Sequence, residues 1–206
     1  MSAAAILLVG PTGSGKTPLG EFLEREGFCG RRCRHFDFGA RLRRLAASPD
    51  GLGFTAPEVE VIRRSVSTGA LFEDAEFPVA TKVFGDFAAS AGAAGADLIV
   101  LNGFPRHAGQ ARALEGTIAV ELVVLLEAPA DVVAERIRRD AEGDRSGRAD
   151  DSRDEVLKKL ETFRERTLPL VEYYSSRGAK VVRISVTDSS TAADHHAAFL
   201  RQTADD

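Results

Sequence analysis

The first seventeen residues constrain this chain more than any other stretch. Residues 4–9, AAILLV, form an unbroken apolar run that ends at Gly10. Continuous rather than alternating hydrophobicity marks a strand buried on both faces, as in a parallel sheet covered by helices on each side. Directly behind it stands Gly10-Pro11-Thr12-Gly13-Ser14-Gly15-Lys16-Thr17, which matches G-x-x-x-x-G-K-[ST] at every fixed position. The helical pattern LGEFLERE follows. In this order the glycines let backbone N–H groups wrap around phosphate oxygens, and the helix points its positive end at the same anion. Lys16 is then placed for β- and γ-phosphates, and the Thr17 hydroxyl for Mg²⁺. The chain is expected to bind a nucleoside triphosphate, ATP, through Gly10, Pro11, Thr12, Gly13, Ser14, Gly15, Lys16 and Thr17.

The rest of the sequence repeats the alternation. Strands are expected at 33–38, 97–101, 118–126 and 180–186. Helices are expected at 40–47, from Thr55 to about Gly69, from about Phe72 to Ala91, at 131–139, and at the C-terminus. Thr55 and Glu58 have capping-box spacing, with Pro57 in the first turn and Phe54 and Val59 spaced as a hydrophobic staple. Ser152 and Glu155 repeat the box and open a helix to about Ser176, which Pro169 is expected to kink. The expectation is one α/β domain over 1–206, a three-layer α/β/α core around a five-stranded parallel sheet. Two segments fit the core pattern less well, 37–72 and 140–152, and these are expected to close over the site as flaps.

Composition narrows the partners. Lys+Arg is 27 against Asp+Glu 31, a net charge of −4, so a strongly basic nucleic-acid binder is disfavoured. Only five of the 27 cations are lysine. Codon bias explains a general arginine surplus, whereas phosphate binding would require arginines at particular places, because the guanidinium fork matches phosphate oxygens. Cys29 and Cys33 make neither a four-ligand zinc site nor a disulfide framework, and they read as free thiols in a reducing compartment. The N-terminal apolar run is too short for a signal peptide or membrane span, so no membrane partner and a cytoplasmic location are expected. His35, His107, His195 and His196 fit no metal spacing and read as surface or structural.

At Asn102-Gly103-Phe104-Pro105-Arg106 with Gln110, the sequence resembles the D-G-F-P-R-x-x-x-Q segment of adenylate kinases and related nucleoside monophosphate (NMP) kinases. Further pieces keep that family's order. Gly39 and Arg43 in FGARLRR resemble T-G-D-L-L-R, and GALFED, containing Phe72, resembles G-x-L-V-x-D. Glu135-Arg136 opens a lid region, and Gly147-Arg148-Ala149-Asp150-Asp151 resembles the G-R-x-D-D of short-lid members. Thr167-Leu168-Pro169-Leu170 with Tyr173-Tyr174 resembles T-x-P-L-x-x-Y-Y. The resemblance implies a P-loop kinase fold with 37–72 as the NMP-binding insert and 140–152 as a short lid. It implies transfer of the γ-phosphoryl of Mg·ATP to an NMP, AMP first and UMP or CMP behind it, by a monomer.

Carried over by residue, Lys16, Arg106 and Arg148 are catalytic and Arg136 lies over the donor nucleotide. Phe38, Gly39, Arg43, Phe72, Gly103, Arg106, Gln110, Arg148 and Lys159 serve the acceptor, with Gln110 on its base. Thr17 is the Mg²⁺ ligand, and Asn102 acts on it through water. Phosphoryl transfer independently demands cations converging on one point, positioned under a closing lid.

Several positions depart from the family pattern. Asn102 replaces an acidic residue and supplies no charge; Asp37, Asp150 and Asp151 are the carboxylates that would compensate. Phe38 and Ala40 replace the Thr and Asp of T-G-D. Lys159 stands for an arginine, and Arg139 is one residue early, with Asp140 in its place. Two other readings stay open on the residues alone: a P-loop kinase for a non-nucleotide metabolite, and a weakly catalytic ATP-binding regulatory protein.

Overall fold

The computed structural model describes residues 2–48, 51–90, 97–140 and 153–204. The strands are β1 (Ala3–Val9), β2 (Cys33–Asp37), β3 (Leu98–Asn102), β4 (Ile118–Glu127) and β5 (Lys180–Ser185). They form one sheet in the order β2-β3-β1-β4-β5, with every pairing parallel. The five expected strands are all present, shifted by at most a residue or two at their ends.

Alternation along the strands builds two cores, one on each face. Leu7, Val9, Phe36, Ile99, Leu101, Val123 and Leu125 face one layer. Ile6, Leu8, Leu98, Val100, Val124, Leu126 and Ile184 face the other. Both sets are buried, which is why the inner strands β1, β3 and β4 read as apolar runs, whereas the edge strands β2 and β5 carry half-buried or exposed polar residues. Leu19 and Leu23 of α1 (Lys16–Glu26) and Phe199 of α9 (Ala192–Ala204) cover the second face. The first face is covered by α2 (Phe38–Ala47), α3 (Ala56–Thr68), α4 (Phe77–Ser90), α5 (Ala108–Ala113) and α8 (Leu170–Ser175). Beside α7 (Arg153–Thr162), α6 (Ala130–Arg139) completes a small third cluster through Val133, Val156 and Leu160.

The Thr55 start of α3 forms as the sequence predicts. Glu58 accepts from the Thr55 backbone N–H at 2.7 Å, and Gly69 ends the helix in the left-handed region at φ 68°. Phe54 and Val59 are both buried in the same cluster. The Ser152 cap lies outside the described residues.

Two expectations need correction. Helix α4 starts at Phe77 rather than Phe72, after a short 3₁₀ turn at Asp74–Glu76. Phe72 is instead buried in an aromatic cluster, its ring edge-on to Phe38 at 5.5 Å. Burial against aromatic neighbours outweighs helix propensity there. The helix expected through Pro169 keeps right-handed helical torsions at Leu168 and Pro169 but is not a regular α-helix. A π turn at Phe163–Thr167 intervenes, where the Leu168 N–H donates to the Phe163 carbonyl at 2.8 Å. Pro169 has no N–H to offer the preceding turn, so the ladder widens before it. The wider turn carries the Thr167 hydroxyl onto the Arg106 carbonyl at 2.8 Å.

From β1 the chain runs out to β2, returns to β3 beside β1, and then crosses to β4 on the other side of β1. That reversal lies at the carboxyl ends of the strands, where open α/β sheets bind ligands.

Candidate active site

The loop after β1 opens into a cleft of about 380 Å³ at that switch point. Gly13 and Gly15 sit at φ 74° and 89°, which a side chain would strain, and Gly15 caps α1. Lys16 folds across its own loop. Its ammonium donates to the carbonyls of Gly10 at 2.8 Å and Pro11 at 2.6 Å. Ser14 is buried beneath the loop, and a Cβ at Gly10 would come within 2.7 Å of its hydroxyl oxygen.

The cleft brings together most of the residues singled out in the sequence. Gly10, Thr12, Gly13, Gly15, Lys16 and Thr17 line one side. Phe38, Gly39, Arg43 and Phe72 line another, with Asn102, Gly103, Arg106, Gln110, Arg136 and Lys159 completing it. Pro11 contributes its carbonyl to Lys16 rather than a cleft surface. Arg148, Asp150 and Asp151 lie outside the described residues.

Arg106 is held by its backbone. Its N–H donates to the Gln110 side-chain oxygen at 2.8 Å, and its carbonyl takes the Thr167 hydroxyl. Its guanidinium has no carboxylate partner among the described residues. Burial alone lowers its pKa from 12.5 to about 10, so it stays cationic at neutral pH. Arg43, on the first turns of α2, likewise makes no ion pair among the described residues. Two guanidiniums without a carboxylate partner among the described residues, Arg106 partly buried and Arg43 exposed, thus face one polar cleft, where their forks are available to an anion.

Other side chains have structural work. The Gln110 amide nitrogen donates to the Phe72 carbonyl at 2.8 Å, and the His107 ring nitrogen lies 2.9 Å from the same oxygen. Phe38 is 5% exposed, its ring stacked on Phe104 at 5.1 Å, so it closes the cleft wall and has little free face for a base. Arg136 is buried and ties three segments together. It donates to the carbonyls of Gly13 at 3.0 Å, Thr187 at 3.0 Å and Ser190 at 2.7 Å. Arg139 points elsewhere, pairing with Glu135 and Asp188.

Sequence reading gave Asp37 only a compensating role and Thr167 none. Asp37 accepts the Thr17 hydroxyl at 2.7 Å and the Asn102 amide at 3.0 Å. Its position between a strand and a helix is the signal of a cap, and its other oxygen does accept from Ala40 N–H at 2.8 Å.

Behind the loop, His195 is buried with Nδ1 unpartnered and Nε2 3.0 Å from the Ser190 hydroxyl. Burial, helped by Arg136 and opposed by Asp194, lowers its pKa from 6.5 to about 4. Between those values the unfolded chain binds more protons, so stability rises with pH across that window. Acidification through it should cost the fold on the order of 3 kcal/mol from this residue. Urea unfolding at a series of pH values tests this: His195→Gln should lose that part of the slope. Equal slopes in both proteins would show that His195 does not contribute.

Among the described residues no cluster of His, Cys, Asp or Glu could cage a metal alone, and no helix is long and apolar enough to cross a membrane.

Comparison with known proteins agrees with this geometry. A family model described as an AAA domain matches residues 6–158. An adenylate kinase of Synechococcus sp. (strain WH7803) is 32% identical over 179 residues, covering 84% of this chain and 85% of the relative. One of Xylella fastidiosa (strain M12) is 32% identical over 180 residues, 84% of this chain and 86% of the relative. One of Bifidobacterium longum reaches 40% over 94 residues, 43% of this chain and 50% of the relative. With a phosphate-binding loop at the switch point of a parallel sheet and likeness over most of its length, the chain belongs to the adenylate kinase type of nucleoside monophosphate kinases, P-loop phosphotransferases.

Proposed function

We propose that the enzyme transfers the γ-phosphoryl group of Mg·ATP to a nucleoside monophosphate, AMP in the first place. The observation that carries this reading is a pair of guanidiniums, Arg43 and Arg106, in the same cleft as the phosphate-binding loop and without a carboxylate partner among the described residues. One anion site beside another is what a donor and an acceptor phosphate require. AMP is favoured because the relatives that match over most of the chain are named adenylate kinases.

In this reading the loop amides and Lys16 hold the donor phosphates, and Lys16 gives up its two backbone carbonyls to do so. Arg43 and Arg106 hold the acceptor phosphate and align its oxygen for attack. Helices α2 and α3, within 37–72, form the acceptor flap. Residues 140–152 form the lid, with Arg148 reaching the transferring group. Lys159, on α7, adds a point charge from the far wall. Gln110 acts mainly by bracing the Arg106 backbone and the Phe72 carbonyl. The donor set fits magnesium, which keeps several waters and uses one or two protein oxygens besides phosphates. Thr17 supplies a hydroxyl oxygen, and bound metal would neutralise charge on the transferring group.

Coupled ADP release, measured across AMP, UMP, CMP and dCMP, tests the proposal. Saturable turnover with AMP is expected, with two ADP formed per ATP consumed. Absence of turnover with every monophosphate would overturn it and favour a non-nucleotide acceptor or a regulatory ATP binder.

A further inference from the structure

The ends of β2 and β3 carry a carboxylate and an amide side by side. Asp37 and Asn102 are direct partners in the parallel register of β2 and β3, and Asn102 is also the partner of Leu8 on β1. Asn102 therefore occupies the strand end beside the phosphate-binding loop, and it is an amide. The carboxylate stands one strand further out, yet it reaches back. One Asp37 oxygen accepts the Thr17 hydroxyl at 2.7 Å and the Asn102 amide at 3.0 Å. The Asn102 amide also donates to the Thr17 hydroxyl oxygen at 3.0 Å.

P-loop enzymes hold their metal with the loop Ser/Thr hydroxyl and a carboxylate at a neighbouring strand end. We propose that Asp37 at the end of β2, rather than the residue at 102, is the carboxylate that orients the magnesium hydration shell against Thr17, with Asn102 as the amide that positions it. This rests on the Mg·ATP reading above.

Three observations carry the assignment. Asp37 lines the cleft with Thr17 and Lys16. It is the carboxylate in contact with Thr17 among the described residues. Its two oxygens have separate tasks, because the second caps α2 through the Ala40 N–H at 2.8 Å. The Thr17 hydroxyl donates its proton to Asp37 and accepts from Asn102, which leaves a lone pair for a cation. His35 packs nearby on Gly20, where a Cβ would collide with its ring, and its nitrogen lies 3.4 Å from the Asn102 amide.

The pair suggests its own test. Asp37→Asn keeps a residue that caps helices about as well as Asp, so α2 should remain intact. Asp37→Asn with Asn102→Asp returns the carboxylate to the neighbouring strand end and keeps both side-chain shapes. Mn²⁺ affinity in the presence of a non-hydrolysable ATP analogue, read by electron paramagnetic resonance, needs no turnover. Asp37→Asn should weaken Mn²⁺ binding by about 10- to 100-fold, typical for loss of an outer partner of a metal site. The double variant should recover most of that loss. Unchanged Mn²⁺ affinity in Asp37→Asn overturns the assignment. So does a loss that the double variant does not repair, which would mark Asp37 as structural only. AMP turnover by the wild type together with unchanged metal affinity in Asp37→Asn would sink this inference alone. Asp37-dependent metal binding without turnover on any monophosphate would sink the acceptor reading alone.

Discussion

Arg106→Ala is expected to lower kcat by about 10³-fold while leaving the melting temperature unchanged or higher. The rate loss follows from removing a preorganised cation that meets charge on the phosphoryl oxygens. Arg106 is preorganised because both of its backbone polar groups are pinned, by Gln110 and by Thr167. The stability half follows from its surroundings. Burial without a counter-ion lowers its pKa to about 10. Desolvating a charge without a counter-ion is a cost to the ligand-free fold. Removing the charge removes the cost, a trade of stability for function that is common at active sites. Arg106→Lys should recover only part of the rate, because an ammonium cannot grip two oxygens as a fork. Steady-state kinetics with calorimetry on the ligand-free protein checks both halves. A variant that melts well below wild type would show that Arg106 is structural.

Arg136→Ala should behave in the opposite way. Arg136 is 2% exposed, and its donors satisfy carbonyls of Gly13, Thr187 and Ser190. Truncation leaves those carbonyls unpaired and opens a void under the phosphate-binding loop. The expected loss is about 3–5 kcal/mol, the usual range for breaking a buried charged network. For a domain of this size that lowers the melting temperature by about 10 °C. Arg136→Lys should not rescue it, because a compact ammonium lacks the planar fork that spans the Gly13 carbonyl and the two carbonyls of the 187–190 turn. Nucleotide affinity should fall as well, since the loop loses its brace. The sequence resemblance places Arg136 over the donor nucleotide. If stacking on a base were its whole role, the ligand-free variant would melt like wild type. Melting curves with and without ATP therefore separate the two roles.

The pair also resolves the arginine surplus. Arg106 and Arg43 line the cleft without a carboxylate partner among the described residues. Arg136 lines it too, but as a buried brace. Arg138 and Arg139 pair with Glu135, and Arg166 with Glu73, on the outside of the fold. Chain position, not arginine number, is what marks a phosphate site.

Much was legible in the sequence because its causes are local. The apolar run before Gly10 sets a doubly buried strand, and G-x-x-x-x-G-K-T sets a loop that only glycine torsions permit. Thr55 and Glu58 set a helix start, and β3 and β4 announce themselves by apolar runs buried on both faces. The irregularity near Pro169 was legible as a position but not as a form, because widening the turn depends on what the freed residues meet. Here the Thr167 hydroxyl meets Arg106 across the chain.

What only tertiary structure decided lies in the pairing of strand ends. Asp37 and Asn102 are 65 residues apart, and the sequence alone reads the second as a missing charge. Parallel register sets them side by side and brings both to Thr17, so a carboxylate stands in contact with the loop hydroxyl although position 102 carries none. Phe38 shows the same division, since its place among the acceptor residues leaves open that its ring is occupied by Phe104, stacked on it, and by Phe72, edge-on. Residue type and local spacing fix which groups are available and which loop they ride on. Which of them share a hydrogen bond, a counter-charge or a packing face depends on contacts between distant segments, and those exist only once the sheet has assembled.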